Sequence, residues 1–181
     1  MRLCVYCGSS IGNHPAFAHA ARELGVLLGT RGDTLVYGCG GQGIMGEIAH
    51  ATKIAGGRVE GVIPEALVGT EHAWEGADER IITQTMRQRK QIMDDKADAF
   101  AVLPGGFGTL EEVSEILTLK ILDYTDRPVV FLNTAGFWDP LLALFDHFYA
   151  TGFAREKYRR HYHAVQTPEE LLGWLDAKLK K

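Results

Sequence analysis

"AFAVLPGGFGTLEEVSEILTLKILDYT", residues 99–125, sets an apolar run, a glycine-rich turn and a long helix-forming segment in immediate succession. A buried strand followed directly by a covering helix is the repeating unit of a parallel α/β sheet. In such sheets the turn after the strand, at its carboxyl end, is where ligands bind. This one turn therefore bears on both the architecture and the location of a site.

Outward from it, the same alternation repeats. Upstream, "RLCVYC" (2–7) precedes an amphipathic run from His14 to about Leu28. "TLVYG" (34–38) precedes "IMGEIAHATKIAG" (44–56), and "RVEGVIP" (58–64) follows. After a polar loop come a short "RIITQ" (80–84) and the charged helix "TMRQRKQIMDDKA" (85–97). Downstream, "PVVFLN" (128–133) leads to "DPLLALFDHFYATG" (139–152), and a last short strand near "HAVQ" (163–166) precedes "TPEELLGWLDAKLKK" (167–181). There Thr167, Pro168 and Glu170 carry a helix-start signature. Short, continuous apolar strands are expected when helices cover both faces of a sheet. The reading is α/β: a doubly wound, Rossmann-like parallel sheet with helices on both faces. No linker, repeat or low-complexity segment divides it, so residues 1–181 are expected to form one nucleotide-binding domain.

A chain of 181 residues can bury roughly 70% of its unfolded surface. Its 46% hydrophobic and 23% charged residues are ordinary for a globular protein. A net charge of −4 gives no electrostatic case for nucleic acid or a membrane surface. No apolar run has transmembrane length. "MRLCVYCG" enters a strand at once, without a signal-like apolar region, so the expected location is cytoplasmic.

Cys4 and Cys7 form a C-x-x-C. A redox pair needs a helix N-terminus to lower the thiol pKa, and a zinc site needs a second pair. Neither is present in the sequence, and buried reduced thiols are the expectation for these two and for Cys39. His161 and His163 would share a strand face, but no third metal ligand lies nearby in the chain. No metal is expected.

Three strand ends are rich in small residues: "CGSS" (7–10), "GCGGQGIMG" (38–46) and "PGGFGT" (104–109). The second contains G-x-G-x-x-G at Gly38, Gly40 and Gly43, with Glu60 at about the distance of a ribose-binding acid. It follows the second strand, however, and Glu60 falls inside a strand. A nicotinamide-dependent oxidoreductase is thus disfavoured. "PGGFGT" is more specific. Gly105, Gly106 and Gly108 let backbone N–H groups approach an anion and permit positive φ. The following helix terminus favours negative charge, and Thr109 offers a cap and a hydroxyl. Glu111 and Glu112 are expected in the first helical turn. Beside a phosphate they would be costly, so they point to a task on another part of the ligand, such as its sugar. In "MRQRK" (86–90), Arg89 and Met93 share one side of a helix that faces protein.

These residues resemble the Lonely Guy family, cytokinin riboside 5′-monophosphate phosphoribohydrolases. "PGGFGTLEE" (104–112) matches that family's P-G-G-x-G-T-x-x-E, and "MRQRK" its second signature of methionine, histidine, any residue, arginine, lysine. "VYGCGGQGIMG" (36–46) resembles its glycine-rich middle stretch. The double motif marks a superfamily that also includes molybdenum cofactor carriers and longer nucleotide nucleosidases. An old "lysine decarboxylase" label attaches to many members, but nothing in this sequence supports a pyridoxal phosphate site.

The resemblance implies hydrolysis of the N-glycosidic bond of a purine nucleoside 5′-monophosphate, releasing free base and ribose 5-phosphate without a cofactor. Arg89 and Glu112 would be the catalytic pair. Lys90, Gly105, Gly106, Phe107, Gly108, Thr109, Leu110 and Glu111 would contact substrate, with Ser9, Glu71 and Thr118 added. Arg87 departs from the family histidine, and Cys39 and Gly41 replace glycine and serine. The family also implies a homodimer. A non-catalytic nucleotide or molybdenum cofactor carrier is the alternative; the presence of both Arg89 and Glu112 favours the enzyme.

Overall fold

The computed structural model describes residues 1–69 and 73–180. In chain order it comprises β1 (Arg2–Tyr6), α1 (Pro15–Thr30), β2 (Thr34–Tyr37), α2 (Gly43–Ile54), β3 (Arg58–Pro64), the four-residue α3 (Glu65–Val68), β4 (Glu79–Thr83) and α4 (Met86–Lys96). Then follow β5 (Ala99–Val102), α5 (Phe107–Ile121), β6 (Val129–Leu132), α6 (Asp139–Ala150), β7 (His163–Val165) and α7 (Pro168–Leu179). Short 3-10 turns cover Thr134–Gly136 and Glu156–His161.

The strands form one sheet in the order β4-β3-β2-β1-β5-β6-β7, and each neighbouring pair is parallel. From the central β1 the chain winds outward to β4, then returns to β5 and winds the other way. The winding therefore reverses between β1 and β5. Loops diverge there and leave a crevice above the strand ends.

Side chains alternate across the sheet because successive Cβ atoms point to opposite faces. On β1, Leu3 and Val5 join a core built with Leu24 and Leu28 of α1, Ile48 of α2 and Leu171 and Leu175 of α7. Cys4 and Tyr6 join the opposite core, with Met93 of α4, Val113 and Ile116 of α5, Phe131 and Trp138. The same alternation disposes of the C-x-x-C: Cys4 and Cys7, three residues apart, lie in different cores. Both are free and buried, and burial pushes both thiols up.

Local signals hold where they are self-contained. Thr167 and Glu170 form a reciprocal capping box at the start of α7. His161 does not share a strand with His163; it ends a 3-10 turn, while His163 opens β7 and stacks on Trp174. Glu60 is the third residue of β3, level with Val36 of β2 and Cys4 of β1 across the sheet, in the amino-terminal half of the strand. It is 1% exposed and ion-paired with Arg2, with Arg58 at 2.9 Å and with Lys96 at 3.0 Å. Burial raises its pKa, but these cations more than reverse that. It is a structural anion at the end of the sheet opposite the ligand crevice, which removes the ribose role.

Candidate active site

Three loops meet above β1, β2 and β5, and they hold one another. Gly8 N–H donates to the Pro104 carbonyl at 3.1 Å, joining the first loop to the PGGFGT turn. Met45 and Ile44 N–H groups donate to the Gly8 and Ser10 carbonyls at 3.2 and 3.3 Å, joining it to the start of α2. Gly43 has φ +62°, and a Cβ there would stand 2.2 Å from the Ser9 carbonyl oxygen. Gly43 and Gly46 thus serve close packing of backbone on backbone, while Gly38 and Gly40 make room for the Arg89 and Met45 side chains, and the dinucleotide pattern is explained without a dinucleotide.

Between the loops lies a cleft of about 460 Å³, in the range of small-molecule sites. Ser9, Gly105, Gly106, Phe107, Gly108, Thr109, Glu111, Glu112 and Arg89 line it. So do Met86 from the MRQRK segment and apolar side chains that the sequence motifs do not announce: Ile11, Phe17, Leu67 and Phe137. Phe137 follows β6, the strand beside β5, so only the strand order brings it here. Its sequence signal is weak, a lone aromatic past a strand end.

The PGGFGT turn differs in detail from the expectation. Its three glycines keep negative φ, and α5 begins at Phe107 with Gly106 as N-cap and no side-chain cap. Thr109 is therefore already the third helical residue, and Glu111 and Glu112 fall in the second turn. The reason is the extended Gly106 (φ −100°, ψ −148°), which completes the change of direction before the threonine. Gly105 is the tight position: a Cβ there would lie 2.1 Å from Thr109 Oγ1 and 2.8 Å from Gly8 N. Around Gly106 and Gly108 nothing lies within 4 Å of a would-be Cβ. At these two positions bare backbone faces open space at the amino end of a 15-residue helix, where partial positive charge favours an anion.

Arg89 reaches the cleft from α4, whose start is capped by Thr85 accepting from Gln88 N–H. The guanidinium is buried, with Nε donating to the Val62 carbonyl at 3.1 Å and Nη2 to the Gly38 carbonyl at 3.3 Å. Among the described residues it has no carboxylate within ion-pair distance. Glu112 likewise makes no hydrogen bond or ion pair among the described residues. Its side chain opens onto the cleft, yet enough protein surrounds the carboxyl for desolvation to dominate. Burial pushes it up to about 7, opposed by Arg89 and Lys90 and aided by Glu111 and Asp94. A buried cation and a buried carboxyl, each without an ion-pair partner in one cleft, are an expensive arrangement that marks functional sites.

The remaining candidates lie elsewhere. Lys90 is buried and ion-paired with both Glu111 and Glu115. Burial pulls its ammonium down, and the two carboxylates more than offset this. Leu110 packs against the core beneath α5. Thr118 hydrogen-bonds the Ser114 carbonyl at 2.8 Å and lines a separate groove with Phe145, Phe148 and Tyr149. Arg87 is exposed and outside the cleft walls. Glu71 lies outside the described residues.

Known proteins match this chain over almost its whole length. A family profile described as "Possible lysine decarboxylase" matches residues 45–175. The chain is 46% identical over 171 residues to a probable cytokinin riboside 5′-monophosphate phosphoribohydrolase of Oryza sativa subsp. japonica, covering 94% of this chain and 77% of that one. The chain belongs to the Lonely Guy family. A cytokinin riboside 5′-monophosphate phosphoribohydrolase of Arabidopsis thaliana is 41% identical over 180 residues, covering 99% of this chain and 84% of that member. Solved structures share the fold of this Lonely Guy protein at lower identity. A molybdenum cofactor binding protein from Rippkaea orientalis has TM-score 0.74 at 21% identity, covering 98% and 96% of the two chains. The molybdenum cofactor carrier protein of Chlamydomonas reinhardtii has TM-score 0.74 at 23% identity, covering 99% and 98%.

Proposed function

We propose that this protein hydrolyses the N-glycosidic bond of purine nucleoside 5′-monophosphates, with AMP or an N6-modified adenine nucleotide as substrate. The observation that carries the reading is the meeting of Arg89, Glu112 and the open Gly106–Gly108 backbone in one cleft. The helix terminus takes the 5′-phosphate, and Glu112, deeper along α5, takes the sugar. As the bond from C1′ to the base nitrogen breaks, its electron pair leaves with the base and positive charge grows on the ribose. The Glu112 carboxylate stabilises that charge and accepts a proton from the water whose oxygen bonds to C1′. The departing base takes up one proton from solvent water, the protonated Glu112 afterwards releases its own to solvent, and ribose 5-phosphate remains. Arg89 orients the nucleotide and offsets charge on phosphate or leaving base. It is too basic to serve as a proton donor.

A lysine Schiff base, which a lysine decarboxylase would build with pyridoxal phosphate, has no fitting residue. Among the described residues no lysine lines the cleft, and Lys90 is tied to Glu111 and Glu115. The carrier reading draws on likeness of fold alone. Incubation with AMP and with isopentenyladenosine monophosphate, followed by chromatography for free base and ribose 5-phosphate, tests the proposal. Unchanged nucleotide would refute it.

The protein is further proposed to act as a cytoplasmic homodimer. Helix α6 has no fully buried residue and exposes Leu144 and Phe148, next to Phe153 and the aromatic groove along α5. A second copy would cover this face. Light scattering should give twice the 19.9 kDa chain mass, and Phe148→Asp should halve it.

A further inference from the structure

Two of the chain's four methionines line the cleft, one near each terminal nitrogen of Arg89. Met86 Sδ lies 3.8 Å from Nη1. Met45 Sδ lies 3.1 Å from the point where a Gly38 Cβ would stand, and that point is 2.0 Å from Nη2. Nε and Nη2 each donate to a backbone carbonyl. Nη1 meets only the Met86 thioether among the described residues, and a thioether is a weak acceptor. The two methionines differ in freedom. Met45 is 6% exposed and packs against Gly38 and Gly40, whereas Met86, the first residue of α4, is 44% exposed and belongs to neither apolar core. An open thioether in contact with the buried guanidinium does little for stability where it stands.

The strand order tells which part of a nucleotide reaches Met86. The proposed phosphate position is the turn after β5. Lys90 pairs with Glu111 and Glu115, which ties the Glu112 stretch of α5 to the first turns of α4. Helix α4 packs on β1, β2 and β3, and Leu67, in α3 directly after β3, lines the same end of the cleft. In a nucleotide the ribose separates phosphate from base. With the phosphate at the turn and the sugar at Glu112, the base runs on toward Met86 and Leu67. The aromatic pair lies the other way: Phe137 follows β6, on the far side of β5, and is locked edge-on to Phe17 with centroids 5.3 Å apart. We propose that Met86 decides which bases the enzyme accepts, its side chain closing over the purine at the Arg89 end of the cleft and giving way to substituents on the exocyclic N6. The inference rests on the nucleotide reading of the cleft. Methionine suits the task because it is unbranched, polarisable and favourable against an aromatic ring, so one residue adapts to bases of different size. As a weak acceptor it also leaves the Nη1 protons of Arg89 available to the substrate.

The test compares Met86→Ala, which opens space, with Met86→Phe, which fills it, each checked by thermal unfolding and assayed on AMP and N6-benzyl-AMP. Met86→Ala should raise KM for AMP about tenfold through the lost apolar contact, and lower kcat by less. The ratio of kcat/KM for N6-benzyl-AMP to that for AMP should rise about tenfold in Met86→Ala and fall by about the same factor in Met86→Phe. Inhibition by adenine should weaken in Met86→Ala, while inhibition by ribose 5-phosphate, which has no base, should stay as in the unmodified protein. A ratio unchanged in both variants, with the two nucleotides losing equally, would overturn the proposal. Calorimetric titration with the same two nucleotides keeps this outcome apart from the functional reading. Nucleotides bound with the shifted preference but never cleaved would refute hydrolysis and still support the role of Met86.

Discussion

Arg89 occupies the place where a side chain on Gly38 would begin. A Cβ on Gly38 would lie 2.0 Å from Arg89 Nη2, and the Gly38 carbonyl accepts a hydrogen bond from that same nitrogen at 3.3 Å. The glycine is thus both the seat and the anchor of the guanidinium. Gly38→Ala should displace Arg89 by an ångström or more, a scale of misplacement that costs about 10²-fold in rate. The expected outcome is a kcat/KM loss on the order of 10²-fold, with overpacking of about 1–3 kcal/mol. Steady-state kinetics beside chemical denaturation check it, and normal turnover would show that Arg89 is not needed where it stands.

Glu112 carries opposite consequences for activity and stability. In the proposed reaction Glu112→Gln removes the charge that would face the ribosyl cation, and turnover should fall by roughly 10²–10⁴-fold. The folded protein holds the Glu112 proton more tightly than the unfolded chain does, so its contribution favours folding at low pH and is lost as pH rises through about 7. Full burial would make this roughly 3 kcal/mol; with the side chain open to the cleft, about 1–2 kcal/mol is expected. Glu112→Gln should therefore be the more stable protein at pH 8 and nearly equal at pH 5, as urea unfolding at the two pH values would reveal. In the unmodified enzyme, kcat/KM should rise with pH through about 7. Glu111→Gln, about 100° around the helix and tied to Lys90, should spare the chemical step.

The three glycines of the turn should separate into two kinds. Gly105→Ala pushes a methyl against Thr109 and the first loop, and should destabilise by about 1–3 kcal/mol. Gly106→Ala and Gly108→Ala meet no protein atom, and the second should stabilise α5 by up to about 1 kcal/mol. Both should nevertheless raise KM for AMP, because the methyl would enter the space proposed for the phosphate. A Gly108→Ala protein with a higher melting temperature and an unchanged KM would remove the phosphate from that position.

Discrimination between nucleotide and nucleoside should rest on the same turn. An unmade charged hydrogen bond costs on the order of 1.5–3 kcal/mol, and several would converge on a phosphate bound at this turn. AMP should be cleaved at least ~10²-fold more efficiently than adenosine, since each ~1.4 kcal/mol is a factor of ten. Thr109→Val should narrow the gap by weakening AMP, Thr109 being buried beneath the turn and part of the cleft wall. Equal kcat/KM for the two substrates would mean that the cleft recognises something other than the phosphate.

The alternation of strands and helices, the capping box at Thr167–Glu170 and the two motifs around Arg89 and Glu112 were legible in the sequence. Their signals come from neighbours within one helical turn or one strand, where period and propensity act directly. What the tertiary structure decided depends on which strands adjoin. The order β4-β3-β2-β1-β5-β6-β7 places β1 at the centre, so the Gly8–Ser10 loop stitches the other two together and Phe137 reaches the cleft. Strand direction carried Glu60 to the far end of the sheet, although its distance along the chain suited a ribose contact. The start of α5 at Phe107 moved Glu112 from the first turn to the second, where burial raises its carboxyl. The meeting of Tyr6 with Asp94, 88 residues apart, has no trace in either local sequence, because a hydrogen bond across a core exists only once both elements are packed.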